Sequence, residues 1–395
     1  MKFNKLNVNE SAKQVNNDIE KYLNFVVRNL DKAMALTGLG GRKADYDDEH
    51  YEFIGGANDE LRKKHYDKSL RLLWKAEKHA SWSTFDDCTK EEEMLLKMAD
   101  QSLNAAEKKE LDRVKSAEYK ALLNREYTQA QKQAIVNILS LIGHGEAYAW
   151  LVSNEVLRDV KSTGAKAALT MQVLEEAKHF VVLRELIQAF ECEIPRLPIY
   201  EYIMLEGTLK SKGLEKFFGM NVLVEGIALS IFGALSKYPG LEVLEMFHLD
   251  ESRHCALPTN YLKTAPLTWW ERNNPAAMVK RFALVLPAIP LAFKMEPDFA
   301  ELGIDVFDFG GSLVRKVINL AYRVGFHLPL PQENMKAFIN FLFNAYCNAT
   351  REGHVYQQFL EREATLGEKE LAVEREVFQL TAEQNAGREL LASAS

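Results

Sequence analysis

Between residues 131 and 260 apolar side chains recur every three to four positions, the period of a helix, and sustained two-residue alternation is absent. The pattern predicts four helices in close order. The first spans about 131–160 and stops near Ser162-Thr163-Gly164. The second spans about 165–192 and ends before Ile194-Pro195. The third spans about 214–237 and breaks at Tyr238-Pro239-Gly240; the fourth spans about 241–257 and ends near Pro258. Upstream, helical periodicity covers roughly 10–36, 58–80 and 90–108, with a charged run into the 120s. Downstream, helices at about 311–326 and 333–353 flank the breaker HLPLPQ, and a charged amphipathic tail runs from 356 to about 384. The expectation is an all-α chain: a four-helix bundle over 131–262, an N-terminal helical extension (1–130), and C-terminal helices with a charged helical tail (263–395), all in one compact domain.

Carboxylates stand where this pattern puts a core. In the second helix Leu169, Val173, Ala177, Phe180, Leu183 and Ile187 form an apolar stripe, and Glu176 and His179 lie on or beside it, three residues apart and so on one face. The fourth helix repeats the arrangement, with Glu251 and His254 on the face of Leu244, Phe247 and Leu257. In the first helix Ile135, Ile138, Leu139 and Ile142 lead along one face to Glu146. In the third, FFGMNVLVEGIALSIFGALS contains one charged residue, Glu225. A lone buried carboxylate costs several kcal/mol, so it must be paired, protonated or bound to a cation.

One Glu from each of two helices and Glu-x-x-His from each of two others make the ligand set of a carboxylate-bridged di-iron or di-manganese centre in a helical bundle. Oxygen and imidazole donors without thiolate suit iron or manganese better than structural zinc. The longer phrase, acid-Glu-x-base-His, arises by chance about 0.02 times in a chain of this composition. It occurs twice, as EEAKHF (175–180) and DESRHC (250–255). Across Tyr238-Pro239-Gly240, Glu225 lies about 13 residues before the turn and Glu251 about 12 after it, so an antiparallel hairpin brings them to one height. The interval from Glu146 to Glu176 across Ser162-Thr163-Gly164 fits more loosely.

Composition narrows the function classes. The 395 residues carry a net charge of −7, which offers no basic field for nucleic acid or anionic membrane. Four dispersed cysteines form no CxxC pair, which suits a reducing cytoplasm. The N-terminal residues show no apolar signal region. The most apolar stretch, FALVLPAIPLAF (282–293), is shorter than the ~20 residues of a membrane helix and contains Pro287 and Pro290, so it reads as a buried, kinked segment, with a hydrophobic substrate channel or surface docking patch as the other reading. GLGG at 38–41 lacks the Lys-Ser/Thr of a phosphate loop and is read as a loop. Asp47-x-x-His50 falls in the same turn-rich segment and reads as surface. His144 faces away from Glu146 and reads as structural, as do His327 in the breaker and His354 at a helix end.

The ligand order resembles the ferritin-like di-iron carboxylate superfamily, which includes monooxygenase hydroxylases, acyl-carrier-protein desaturases, aryl-amine N-oxygenases and the radical-generating subunit of ribonucleotide reductase. The resemblance covers about residues 131–260. It implies that Glu146, Glu176 and His179 bind one iron and Glu225, Glu251 and His254 the other, with Glu176 and Glu251 bridging. Glu175 and Asp250 match positions that hold a ligand histidine across the bundle; plain salt bridges to Arg253 or Lys178 are the alternative. His248 resembles an extra histidine ligand of the N-oxygenases, although it precedes Glu251 by three residues and not four; a packed histidine is the other reading. Leu183 stands where the reductase subunit has its radical tyrosine. Ala228 and Leu229, followed by Ser230, stand where the hydroxylases carry a threonine, and the 26-residue interval from Glu225 to Glu251 is shorter than is common in the family.

The resemblance implies an oxidoreductase, an oxygenase with two non-haem iron ions (or iron and manganese, or manganese alone) and O2 as co-substrate. A hydrophobic or aromatic small molecule would be hydroxylated, desaturated or N-oxygenated beside Phe180, Leu183, Ala228, Leu229 and Phe232, whose plain alternative is bundle core. Electrons would come from a separate reductase or ferredoxin; a cytoplasmic homodimer without a nucleic-acid partner or a membrane span is expected. A ferroxidase or metal-handling protein without organic substrate, and a helical scaffold with a vestigial site, are the competing expectations.

Overall fold

Capping side chains and glycines mark where the helices begin and end. The computed structural model describes residues 5–37, 116–160, 163–264 and 266–362. It is all-helical, with no strand among the described residues. The helices expected at 58–80 and 90–108, GLGG, Asp47 and His50 lie outside the described residues.

Helix α1 is Glu10–Thr37 and α2 is Ala117–Glu126. Helix α3, Gln129–Asp159, starts at a reciprocal cap: Gln131 N–H donates to the Thr128 hydroxyl, and the Thr128 N–H donates to the Gln131 side chain. Helix α4 is Thr163–Ala189. Helix α5, Ile199–Lys210, was not anticipated from the sequence; it follows Pro198, which stands at its N-cap. Helix α6 spans Leu214–Leu235 and contains a π-turn at Gly219–Val224. Helix α7 is Leu244–Thr264. The C-terminal part supplies α8 (Trp269–Asn273), α9 (Pro275–Val285), α10 (Ala288–Glu301), α11 (Val306–Val324) and α12 (Gln332–Thr350).

Helix α3 packs along α4, α6 along α7, and the pairs meet through α4 against α7 and α3 against α6. Helices α5 and α10 cover α3, α1 lies on α5 and α10, and α11 backs α6 and α7. The turn between α6 and α7 is held by a tyrosine within α2 and another at its C-cap: Tyr127 Oη donates to the Pro239 carbonyl at 2.5 Å, and Tyr119 Oη donates to the Gly240 carbonyl. Gly240 has φ +87°, which a side chain adopts at a cost.

Three expectations need correction. Helix α7 does not end near Pro258 but runs through it to Thr264. Proline lacks the N–H that would bond the carbonyl four residues back. That carbonyl, of His254, instead accepts from Asn221 Nδ2 at 3.2 Å. The segment 282–293 is kinked as expected but is not buried throughout. Its residues belong to α9 and α10, which break at Leu286-Pro287, and only 33% of the apolar window of Pro275–Glu301 is buried. By length and composition this stretch is apolar enough to cross a membrane, as are α3 and α6, whose windows are 83% and 94% buried. Finally, residues 356–362 do not begin a helical tail: Phe359–Glu361 form a single 3-10 turn with Phe359 and Leu360 buried against α11. The rest of the tail lies outside the described residues.

Candidate metal centre

Four helices each project acidic or imidazole groups into the same interior: Glu146 from α3, Glu176 and His179 from α4, Glu225 from α6, and Glu251 and His254 from α7. None of the six is more than 3% exposed. They fall into two overlapping groups. Ligand atoms of Glu146, Glu176, His179 and Glu251 lie within 4.8 Å of one another, and so do those of Glu176, Glu225, Glu251 and His254. Glu176 and Glu251 belong to both groups. Each group can hold a metal ion.

Local structure explains why these side chains converge. The three-residue spacing puts Glu and His on one helix face in α4 and in α7. In α6 the π-turn ends at Val224, immediately before Glu225. Its extra residue per turn changes the register of the face that follows, which is the usual place and use of such a turn. Gly219 opens the π-turn, and a Cβ there would sit 2.7 Å from Thr208 Oγ1, so α5 and α6 approach as closely as they do only because this position has no side chain.

The imidazoles are oriented crosswise. His179 Nε2 donates to Asp250 Oδ2 at 3.1 Å, and His254 Nε2 donates to Glu175 Oε2 at 2.9 Å, so each acid preceding a ligand Glu holds the histidine of the other helix. Ionised carboxylates only accept, so both Nε2 atoms carry hydrogen and both Nδ1 atoms face the interior. The alternative salt bridges form as well. Arg253 Nη2 donates to Glu175 Oε1 at 2.7 Å and also to Asp250 Oδ1, and Lys178 Nζ lies 3.5 Å from Asp250 Oδ2. Phe247 stacks on His179 with ring centroids 4.3 Å apart, and Phe232 meets Phe247 edge-on at 5.2 Å.

Two residues that sequence reasoning missed organise the carboxylates. Gln172 Nε2 donates to Glu176 Oε1 at 2.9 Å and Glu225 Oε1 at 2.6 Å, while its Oε1 accepts from Asn221 Nδ2 at 2.8 Å. The signal was available: Gln172 and Asn221 each lie four residues before a ligand Glu.

Burial and mutual repulsion set the electrostatics. Burial pushes Glu146 well above the usual carboxylate range, and burial together with Glu225 raises Glu176. Glu225 is pushed up to about 8 by burial and by neighbouring Glu251. Burial works against charging the histidines, yet Glu146 beside His179, and Glu176, Glu251 and Glu225 beside His254, raise both well above an ordinary imidazole. Despite burial, Asp250 is held far below its usual range by His179, Lys178 and Arg253. In the metal-free cluster burial therefore favours the neutral forms of Glu146 and Glu225, and the neighbouring carboxylates favour the charged forms of both imidazoles.

The fit of metals can be tested on the orphaned atoms. Glu146 Oε1, Glu176 Oε2, His179 Nδ1 and Glu251 Oε1 are buried without a hydrogen-bond partner. His179 Nδ1 and Glu251 Oε1 lie 3.0 Å apart, close enough to ligate one ion. Four such lone-pair-bearing atoms gathered in one buried interior fit cation ligands.

Other expected site residues are placed differently. His248 is buried and its Nδ1 donates to the Leu229 carbonyl at 2.8 Å; it belongs to neither group. Ala228 lines a cavity beside Glu146 and Glu225, whereas Phe180, Leu183, Leu229 and Phe232 do not line it and are buried in the core. The Ser230 hydroxyl is engaged with the Gly226 carbonyl at 3.0 Å. His144 Nε2 meets the Pro195 carbonyl at 3.0 Å and burial lowers it to about 4, in keeping with a structural role. His327 and His354 bond Asn273 and Asn344, each at 3.0 Å. The cavity, about 20 Å³, also contains Glu201 of α5, the third residue missed; two acids in the apolar run IYEYIMLEGTLK were its signal. Comparison with known proteins finds no matching family model, no matching curated protein and no matching solved structure.

Proposed function

We propose that this chain is an oxygen-activating oxidoreductase with two iron or manganese ions in a ferritin-like four-helix bundle formed by α3, α4, α6 and α7. The observation that carries the reading is the pair of overlapping ligand groups sharing Glu176 and Glu251. A second ion beside the first needs carboxylates that both can use, and two shared ones offset the repulsion between cations. Glu146 and His179 would complete one ion's ligands, Glu225 and His254 the other's.

Bound there, a pair of redox-active ions would supply electrons to dioxygen. The chain's own residues do the rest. Glu175 and Asp250 fix both imidazole tautomers, so that Nδ1 is the ligating atom. Arg253 balances those two acids and keeps them ionised. Gln172 holds Glu176 and Glu225 by one amide, and Phe232 and Phe247 exclude water from the His179 side. Electrons for turnover would come from a separate reductase, and an apolar or aromatic small molecule is the proposed substrate class.

A second reading rests on the size of the cavity. About 20 Å³ holds a water-sized guest and no aromatic ring. That favours a ferroxidase that oxidises iron without an organic substrate. Anaerobic reduction of the iron-loaded protein followed by exposure to oxygen separates the two. The oxygenase reading expects about one O2 consumed per two irons, with the irons retained in the protein and an added apolar substrate converted. Release and precipitation of ferric iron would select the ferroxidase, and no oxygen uptake would refute both.

A further inference from the structure

Glu201 is a buried acid that the ligand scheme does not use. It stands on α5, is 2% exposed, and its Oε2 has no hydrogen-bond partner. It is not an isolated core defect, because it lines the same small cavity as Glu146 and Glu225, one carboxylate from each group. The remaining wall is apolar, with Leu205, Ala228 and Leu291 among its residues. Gly145 completes it: a Cβ there would find a single neighbour within 4 Å, Glu201 Oε1 at 3.8 Å. The space of about 20 Å³ takes one water-sized guest. An unpartnered carboxyl facing a water-sized space with otherwise largely apolar walls calls for an occupant that bonds it, since leaving it unsatisfied costs about 1–3 kcal/mol.

We propose that Glu201 is the polar anchor of a binding site for a one- or two-atom oxygen ligand (water, hydroxide or dioxygen) held between it and the Glu146 and Glu225 edge of the metal centre. The proposal rests on the di-metal reading above. Burial pushes the Glu201 carboxyl well above the usual range, which favours its neutral form, the form that can donate to the guest. The position matters because the neighbouring candidates are unavailable: Ala228 has no hydroxyl and Ser230 donates to Gly226. Glu201 is thus the polar group, apart from the ligands themselves, that lines the cavity.

Fluoride tests this directly, being close to water in size and a strong acceptor. The full chain is loaded with cobalt(II), whose visible bands report its ligands, metal content is measured, and sodium fluoride is titrated. Glu201→Leu is expected to keep two cobalt ions per chain and to weaken fluoride at least tenfold, the loss of one hydrogen bond to a charged group. Glu201→Gln, which still donates, should stay within about threefold of the parent. Gly145→Ala, which places a methyl beside Glu201 without changing any polar group, should weaken fluoride as Glu201→Leu does. Fluoride affinity unchanged in Glu201→Leu, or no fluoride response in a parent protein that holds two ions, overturns the proposal and leaves the di-metal reading intact. A parent protein that takes up no metal overturns both.

Discussion

Replacing Glu225 with glutamine should make the metal-free protein more stable and the metal-loaded protein less so. Glu225 is 1% exposed and is pushed up to about 8, against 4.5 for an ordinary glutamic acid. A carboxyl raised in the folded state stabilises fully below the unfolded value and loses that contribution as pH climbs through the folded one. At pH 7 the unfolded carboxyl has ionised while the folded one keeps its proton. Holding it neutral from pH 4.5 to pH 7 costs on the order of 3 kcal/mol. Glutamine carries no such cost. Its carbonyl can still accept from Gln172, and its amide can donate toward Glu251 as the neutral acid does. Urea unfolding in chelator should therefore give nearly equal stabilities at pH 4.5–5. At pH 7 Glu225→Gln should lead by on the order of 3 kcal/mol. With metal at a thousandfold excess over its dissociation constant, the parent gains about 4.1 kcal/mol at each of two sites and overtakes a variant that keeps only the Glu146 and His179 site. A variant no more stable than the parent in chelator at pH 7, or one equally stabilised by metal, would refute the reasoning.

Three further outcomes follow. Metal uptake at pH 7 should release protons and strengthen as pH rises from 6 to 8, because Glu146, His179 and His254 are raised above their ordinary values and must lose protons to ligate; an indicator dye reads this, and uptake without proton release would contradict it. Arg253→Ala, which leaves Glu175 and Asp250 without their shared counter-ion, should weaken metal binding about 10–100-fold without changing the stoichiometry, measured by competition with a chelator. Gly219→Ala should cost about 1–3 kcal/mol in urea unfolding and weaken metal binding as well, since its methyl meets Thr208 at the start of the π-turn that aims Glu225; an unaltered protein would remove that turn from the account.

Helical period and buried charge were legible in the sequence because both are local. The stripe through Leu169, Val173 and Phe180 marks a face, and the i,i+3 spacing puts Glu176 and His179 on it. Glu225 was conspicuous as one charge in an apolar run. What escaped depended on tertiary context. Pro258 reads as a helix end, yet Asn221 accepts the task of satisfying the freed His254 carbonyl, and the helix continues. The π-turn before Glu225 leaves no composition signal, because the same apolar residues suit an ordinary α-turn. Gln172 reads as a solvent-facing polar residue until Glu225 is brought opposite it from another helix. Helix α5 lies between Pro198 and Gly213, where breakers outweigh a short apolar run, so its acids do not read as part of the bundle interior. Phe232, expected beside the substrate, packs edge-on to Phe247, which stacks on His179, a neighbourhood no local pattern specifies.

Metal content bears most directly on the claim that cations hold these side chains together. Purified chain, stripped with chelator and titrated anaerobically with iron(II), should bind two ions per chain, and Glu176→Ala, which removes a ligand common to both groups, should bind fewer than one. A parent that binds no iron, or a Glu176→Ala protein that still binds two, would contradict the account.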